Sequence, residues 1–123
     1  MNCGTDIIEI ERIKDSIEKF GENFLDKVFT KQEIEYCESH KLMKYQHYAA
    51  RFAAKEAVSK MFGTGFNGSF NFKDIEVINS ISGKPEIKLH DKALSLHECE
   101  GYKDITISIS HCNKYAVCFV IGY

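Results

Sequence analysis

The sequence predicts an α+β domain in which helices pack against a largely antiparallel sheet. Two observations predict this class. Strand-like alternation occurs at both ends of the chain and once in the middle, and helical patterns fill the stretches between. The chain of 123 residues has the length of one domain and contains no internal repeat or linker. We therefore expect a single domain over residues 1–123.

The first part of the chain predicts one strand followed by helices. Apolar side chains alternate over residues 3–10, as in a strand, and isoleucines then recur at helical spacing up to Gly21. A short helix follows. Thr30 is a favourable N-cap, and Glu33 completes the capping box of a helix that ends near His40.

A long helix is predicted over residues 45–62, where alanines and larger apolar side chains dominate. Gly63 and Gly65 follow it and allow the sharp departure that a helix end requires. Because glycine and small polar residues continue after them, we expect residues 65–69 to form a mobile loop.

The second part of the chain predicts two strand pairs separated by a helix. Residues 74–80 and 85–90 have strand-like composition, and residues 91–100 form a helix that Gly101 ends. Residues 105–122 then alternate as two strands with a turn at 111–114, which predicts a hairpin.

Composition and charge argue against several classes of function. Sixteen Lys and Arg against eighteen Asp and Glu give a net charge of −2, so nucleic acid is not an expected partner. No stretch approaches the roughly 18 apolar residues of a membrane span, and no leader-like segment begins the chain. We expect a soluble, cytoplasmic protein with no membrane contact. The five cysteines include no CxxC pair and are expected to be free and mostly buried.

Glu56 is the first residue that indicates chemistry. Winding residues 45–62 as a helix places it on a mainly apolar arc, with Lys60 one turn later. A buried carboxylate is costly unless a cation meets it. A simple Glu56–Lys60 ion pair would satisfy that need. However, Asp6 also interrupts the apolar side of the first strand, and two such acids predict a shared divalent cation such as Mg²⁺.

Several segments together resemble one known family. In chain order they are GTDIIEIERI from Gly4, FT from Phe29 with a following glutamate, RFAAKEAVSKMFGTG from Arg51, DIEV and GKPEI from Asp74, and ITISISHCNKYAVCFVI from Ile105. They resemble the holo-[acyl-carrier-protein] synthases, the short, single-repeat branch of the 4′-phosphopantetheinyl transferase superfamily. The resemblance covers essentially the whole chain and implies the fold of that superfamily.

The resemblance implies an activity in fatty acid biosynthesis. The chain would transfer the 4′-phosphopantetheine group of coenzyme A to a serine of apo acyl carrier protein and release adenosine 3′,5′-bisphosphate. Asp6 and Glu56 match the metal ligands, so Mg²⁺ would bridge the pyrophosphate. Lys60 would contact a phosphate or protonate the departing oxygen. The serine proton would pass to Glu56 or to a water on the metal, and we favour the water because a coordinating carboxylate is a weak base.

The resemblance also implies a coenzyme A site. The matching residues are Arg51, Lys60, Gly63, Gly65, Gly83, Lys84, Pro85 and His111. Without the resemblance, Arg51 reads as a solvated charge, because it lies about 140° around the helix from Glu56. By the same reasoning, residues 82–85 form an ordinary turn and His111 faces solvent.

Two partner assignments follow from the same resemblance. Arg12 and Lys14 match the helix that binds the acidic carrier protein, where charge complementarity speeds association, although neighbouring acids dilute this basic patch. The family further implies a homotrimer with active sites between subunits.

Two other functions fit parts of the pattern. A Mg²⁺-dependent nucleotide pyrophosphohydrolase would use the same acids but transfer to water, and would consume coenzyme A without a protein acceptor. A non-catalytic module that binds coenzyme A or the carrier protein would have little use for Asp6, Glu56 and Lys60 together.

Overall fold

The computed structural model describes residues 1–66, 68 and 70–123, and within them the chain forms five α-helices and five strands. These are β1 (Asn2–Glu9), α1 (Ile10–Phe20), α2 (Glu22–Val28), α3 (Lys31–Glu38), α4 (Lys44–Phe62), β2 (Ile75–Asn79), β3 (Pro85–Leu89), α5 (Asp91–Glu100), β4 (Ile105–His111) and β5 (Tyr115–Gly122). Single 3₁₀ turns occupy Lys41–Met43 and Phe72–Asp74. The predicted α+β class is confirmed. The predicted mobile loop at 65–69 includes residues 67 and 69, which lie outside the described residues.

The strands form two antiparallel sheets. The larger sheet has the order β1-β5-β4, and β2 pairs with β3 in the smaller one. The expected antiparallel strand direction is therefore confirmed, but the strands form two sheets and not the single sheet that was expected. In the larger sheet Asp6 of β1 lies opposite Cys118 of β5.

Helix α4 is the centre of the molecule. It packs on both outer strands of the larger sheet and on β5 between them, and helices α1 and α3 and strand β2 cover its other sides. Burial therefore extends around most of the helix. The single apolar arc predicted for it was too narrow, because Arg51 is 4% exposed and Lys55 is 0% exposed on faces outside that arc.

Local signals set the ends of the helices as predicted. The Thr30 Oγ1 accepts a hydrogen bond from the Glu33 amide at 3.3 Å, and the Glu33 carboxylate accepts one from the Thr30 amide at 2.9 Å. The predicted capping box is thus confirmed. Gly63 ends α4 in the left-handed region at φ 81°, where a side chain would be strained.

All five cysteines are free, as expected, but the expectation that most are buried was wrong. Cys37 and Cys118 are buried, whereas Cys3, Cys99 and Cys112 are exposed. Among the described residues, no helix is both long and apolar enough to cross a membrane.

Candidate active site

A close contact between β1 and α4 brings the two predicted acids to one place. A Cβ built on Gly4 would lie 2.0 Å from the Ala57 carbonyl oxygen, so only glycine lets the strand approach the helix this closely. The side-chain alternation of β1 then turns Asp6 toward the same helix face. Asp6, Glu56 and Lys60 form what we call the acid group.

Lys60 completes the acid group by pairing with Asp6. Its Nζ lies 2.9 Å from Asp6 Oδ1, with the lysine side chain 54% exposed and that of the aspartate 15% exposed. The simpler alternative, a Glu56–Lys60 ion pair, does not describe this contact, because the direct contact of Lys60 joins the helix to Asp6 of the strand. A half-exposed ammonium can exchange this partner for another anion at little cost.

The Glu56 carboxylate lies in an unfavourable electrostatic setting. Burial raises its pKa, Asp6 raises it further, and Lys60 lowers it. Two carboxylates with a single lysine between them leave an excess of negative charge, which a cation would neutralise. Among the described residues no cluster of three or more His, Cys, Asp or Glu side chains is arranged around a metal position. Two carboxylates fit Mg²⁺, which proteins bind through one or two carboxylates together with substrate phosphates.

Arg51 lies in a second group, built on another face of α4. Its Nη2 donates a hydrogen bond to Asn79 Oδ1 at 2.7 Å, and its Cζ lies 3.9 Å from the centre of the Tyr36 ring. The Asn79 amide in turn donates to the Gly83 carbonyl at 3.0 Å. The interpretation of Arg51 as a solvated charge was wrong, because α3 and β2 cover the guanidinium. We call Tyr36, Arg51, Asn79 and the turn at 80–84 the arginine group.

His111, the last residue of β4, lies beside a row of aromatic side chains. Its ring centre is 6.1 Å from that of His47, and the rings of His47 and His40 are 3.7 Å apart. Tyr36 contacts both of these histidines, with ring centres 4.6 and 5.5 Å away. This row therefore joins His111 to the arginine group.

The pKa of His47 falls from its ordinary value of 6.5 to about 4. Burial is the largest cause, followed by three groups that carry or can carry positive charge, namely His40, Arg51 and His111. His47 is therefore neutral at physiological pH. The permanent positive charge of Arg51, with the imidazole rings beside it, favours an anionic ligand.

Sequence reasoning missed Tyr36, His40, His47 and Asn79. One signal was available for His47, which lies four residues before Arg51 and so on the same helix face. Asn79 carried no local signal, because its partners come from α4 and from the turn after β2.

The remaining predicted residues have varied settings. The amides of Gly63 and Gly65 donate to carbonyls of the last turn of α4, which is the hydrogen bonding of a helix end. Lys84 and Pro85 line a groove of about 240 Å³ between β3 and β4. Arg12 is exposed on α1, and Lys14 lies 5.7 Å from the centre of the Tyr45 ring.

The acid group and the arginine group face different sides of α4. Arg51 and Glu56 are five residues apart, which corresponds to about 140° around the helix axis. One chain therefore presents two separate sets of candidate residues, one with carboxylates and one with cationic and aromatic groups.

Comparisons with known proteins agree with this architecture. The family model of the 4′-phosphopantetheinyl transferase superfamily matches residues 2–120. A holo-[acyl-carrier-protein] synthase of Ruminiclostridium cellulolyticum is 53% identical, over 98% of this chain and 90% of its own. The crystal structure of holo-[acyl-carrier-protein] synthase from Neisseria meningitidis superposes on this chain with a TM-score of 0.90. The two sequences are 30% identical, and the match covers 99% of this chain and 97% of the other.

The Helicobacter pylori synthase, solved in complex with coenzyme A, gives a TM-score of 0.87 at 29% identity, over 98% and 99% of the two chains. These matches define the class that the fold and the acid group suggested. The chain belongs to the 4′-phosphopantetheinyl transferase superfamily, within its holo-[acyl-carrier-protein] synthase family. The predicted enzyme class and fold are thereby confirmed.

Proposed function

We propose that this chain transfers the 4′-phosphopantetheine group of coenzyme A to a serine of apo acyl carrier protein, releasing adenosine 3′,5′-bisphosphate. The observation that carries the proposal is the acid group, in which Asp6, Glu56 and Lys60 meet between β1 and α4. Relatives named holo-[acyl-carrier-protein] synthases, and the coenzyme A complex of one of them, support the choice of substrates.

Asp6 and Glu56 would hold Mg²⁺ in this proposal. The ion would neutralise charge on the pyrophosphate as the bond to phosphorus breaks. Lys60, which is half exposed and pairs with Asp6, would turn toward a phosphate oxygen of the donor. From there it would stabilise or protonate the oxygen of the 5′-phosphate that departs with adenosine 3′,5′-bisphosphate.

The proton of the carrier serine needs an acceptor near Glu56. Burial raises the pKa of this carboxylate and makes it a better base than an exposed glutamate, whereas coordination of a cation lowers the pKa again. We therefore propose that a water molecule beside Asp6 and Glu56 would relay the proton to solvent, with the Glu56 carboxylate orienting that water.

The coenzyme A nucleotide would bind at the arginine group. Arg51 and His111 would contact phosphates, and the turn carrying Gly83, Lys84 and Pro85 would border the adenine. Lys60 would contact the pyrophosphate. Gly63 and Gly65 would act through the shape of the chain after α4, since their amides already donate to the helix.

The proposed oligomer is a homotrimer with active sites between subunits. The two candidate groups face different sides of α4, so a site shared by neighbouring subunits would combine one group from each. The outer face of the larger sheet exposes Ile7 by 65%, Phe119 by 44% and Tyr115 by 44%, which suits an interface. Sedimentation analysis should give a trimer for the parent chain and a smaller species for Phe119→Lys. A monomeric parent would contradict this.

Arg12 and Lys14 on α1 are the proposed contacts for the acidic carrier protein. Their effect should appear mainly as a salt-dependent association rate.

We also propose a cytoplasmic location and a role in fatty acid biosynthesis. Five free cysteines suit a reducing compartment.

Intact-mass spectrometry tests the activity directly. Apo acyl carrier protein is incubated with this protein, coenzyme A and Mg²⁺, with and without a chelator. A mass gain of about 340 Da, the size of one transferred arm, that disappears with chelator would support a metal-dependent transferase. Consumption of coenzyme A without that gain would indicate the pyrophosphohydrolase instead. Binding without either change would indicate a binding module.

A further inference from the structure

Asn79 is the last residue of β2, and both the oxygen and the nitrogen of its side-chain amide form hydrogen bonds. Its Oδ1 accepts the hydrogen bond from Arg51 Nη2 at 2.7 Å, and its Nδ2 donates to the Gly83 carbonyl oxygen at 3.0 Å. A guanidinium can only donate and a carbonyl can only accept, so the two neighbours fix the orientation of the amide. One side chain thus connects helix α4 to the turn at 80–84.

Neighbouring side chains fix the Arg51 guanidinium in place, but among the described residues one of its N–H groups has no hydrogen-bond partner. The Tyr36 ring covers one face and Asn79 accepts from Nη2. The residue is 4% exposed, and among the described residues the buried Nε has no hydrogen-bond partner. Arg51 also lines a cavity of about 210 Å³ whose wall includes Tyr36 and Asn79. A buried donor without a partner, beside a cavity, indicates a place for an acceptor group of a ligand.

The turn on the other side of Asn79 is well defined. The Ser80 amide donates to the Lys84 carbonyl at 2.9 Å, and the Gly83 amide donates to the Ser80 carbonyl at 2.8 Å. Gly83 adopts φ 88°, which favours glycine. These bonds fix the shape of the turn. The Asn79 bond to Gly83 links that fixed shape to Arg51.

We propose that Asn79 is a positioning residue for nucleotide binding: it sets the distance between the Arg51 guanidinium and the turn at 80–84. The proposal rests on the assignment of the coenzyme A nucleotide to the arginine group. Arg51 and the turn belong to different elements, and a ligand that contacts both needs them at a fixed separation. Asn79 itself need not touch the ligand.

Calorimetric titration with adenosine 3′,5′-bisphosphate tests this without carrier protein, metal or turnover. Asn79→Leu keeps the approximate size of the side chain and removes both hydrogen bonds. We expect the dissociation constant to rise about tenfold, the equivalent of one charge-assisted hydrogen bond. Asn2→Leu is the matched control, because Asn2 is an exposed asparagine of β1 whose side chain bonds to Tyr102 and to the Met61 carbonyl, outside both groups. Its dissociation constant should stay within about twofold of the parent.

A double-mutant cycle separates positioning from a general structural role. If Asn79 acts through Arg51, Asn79→Leu should have no further effect in an Arg51→Met background, where the guanidinium is absent. Equal weakening in both backgrounds would overturn the proposal, and so would an unchanged dissociation constant in the single variant.

Asn79→Asp gives a second test if the leucine variant fails to fold. It keeps the shape and the acceptor toward Arg51, loses the donor to Gly83 and adds negative charge beside the guanidinium. Binding should again weaken by about tenfold or more, and unchanged binding would overturn the proposal. A parent chain that does not bind the bisphosphate would also overturn it. A parent that binds the bisphosphate but transfers nothing would refute only the proposed transferase activity.

Discussion

The Lys55 Nζ lies 2.8 Å from Glu33 Oε1, and both side chains are completely buried. Burial lowers the pKa of Lys55, and its attraction to Glu33 raises that pKa again. The attraction between the two charges therefore offsets part of the cost of burying each of them. The lysine also donates to the carbonyls of Phe72 and Ile75, while Glu33 Oε2 accepts from the Val77 amide. This one ion pair connects α3, α4 and β2.

Lys55→Met should lower the free energy of unfolding by about 3–5 kcal/mol, because it leaves the Glu33 charge buried without a partner. Lys44→Met is the matched control: Lys44 pairs with Glu38 at 3.4 Å on the surface, and its loss should cost less than about 1 kcal/mol. Denaturant unfolding measures both. Similar losses in the two variants would show that burial does not govern the strength of these pairs.

Glu56→Gln should reduce transfer more than about a hundredfold while preserving the fold. Burial and Asp6 raise the pKa of Glu56, so the folded state opposes its charge and glutamine should leave the melting temperature equal or higher. The mass assay and a thermal melt measure the two effects. Glu98→Gln, an exposed acid on α5, serves as the control. Activity of Glu56→Gln within a few-fold of the parent would remove Glu56 from the proposed metal site.

Gly4→Ala should destabilise the fold by on the order of 3 kcal/mol or more, because the new Cβ would collide with the Ala57 carbonyl in the backbone of α4. Gly122→Ala is a useful comparison. The new Cβ at position 122 would lie 2.7 Å from the sulfur of the flexible Met61 side chain, which can move aside. The loss of stability in Gly122→Ala should therefore be smaller. Thermal melts rank the two variants. An equally mild effect of both would mean that β1 can retreat from the helix without penalty.

The pH dependence of stability should include a contribution from His47. Its pKa is 6.5 when unfolded and about 4 when folded, so between these values the unfolded chain binds the extra proton. Stability should therefore fall as the pH is lowered from 6.5 toward 4. His47→Phe keeps an aromatic ring and removes the titration, so its stability should fall less over that range. Identical pH profiles from unfolding curves would contradict this assignment.

The features that could be predicted from the sequence depend on neighbours in the chain. The Thr30–Glu33 capping box spans one helical turn, and the alternation of β1 places Asp6 on the side of Gly4 without reference to any distant residue. The membership of Asp6, Glu56 and Lys60 in one group needed the family resemblance as well, because it joins a strand to a helix.

The features that were missed depend on packing between distant segments. Without the resemblance Arg51 read as a surface charge, and nothing indicated that Lys55 is buried, because the helical pattern does not show that α3 and β2 cover those faces. Asn79 and His47 acquire their roles only through partners that other elements supply. The separation of the strands into two sheets is likewise invisible locally, since strand composition does not specify which strand is a neighbour.

The pairing of β1 with β5 makes the first strand of the fold depend on the last. Asp6 lies opposite Cys118, so the strand that carries this acid finds its hydrogen-bonding neighbour only after β5 has left the ribosome. Closing so long a loop is slow, and the helices can form well before it. An incomplete chain would therefore hold Glu56 and Lys60 on their helix while lacking an anchored Asp6. Chains that lack β5 would then lack the complete acid group.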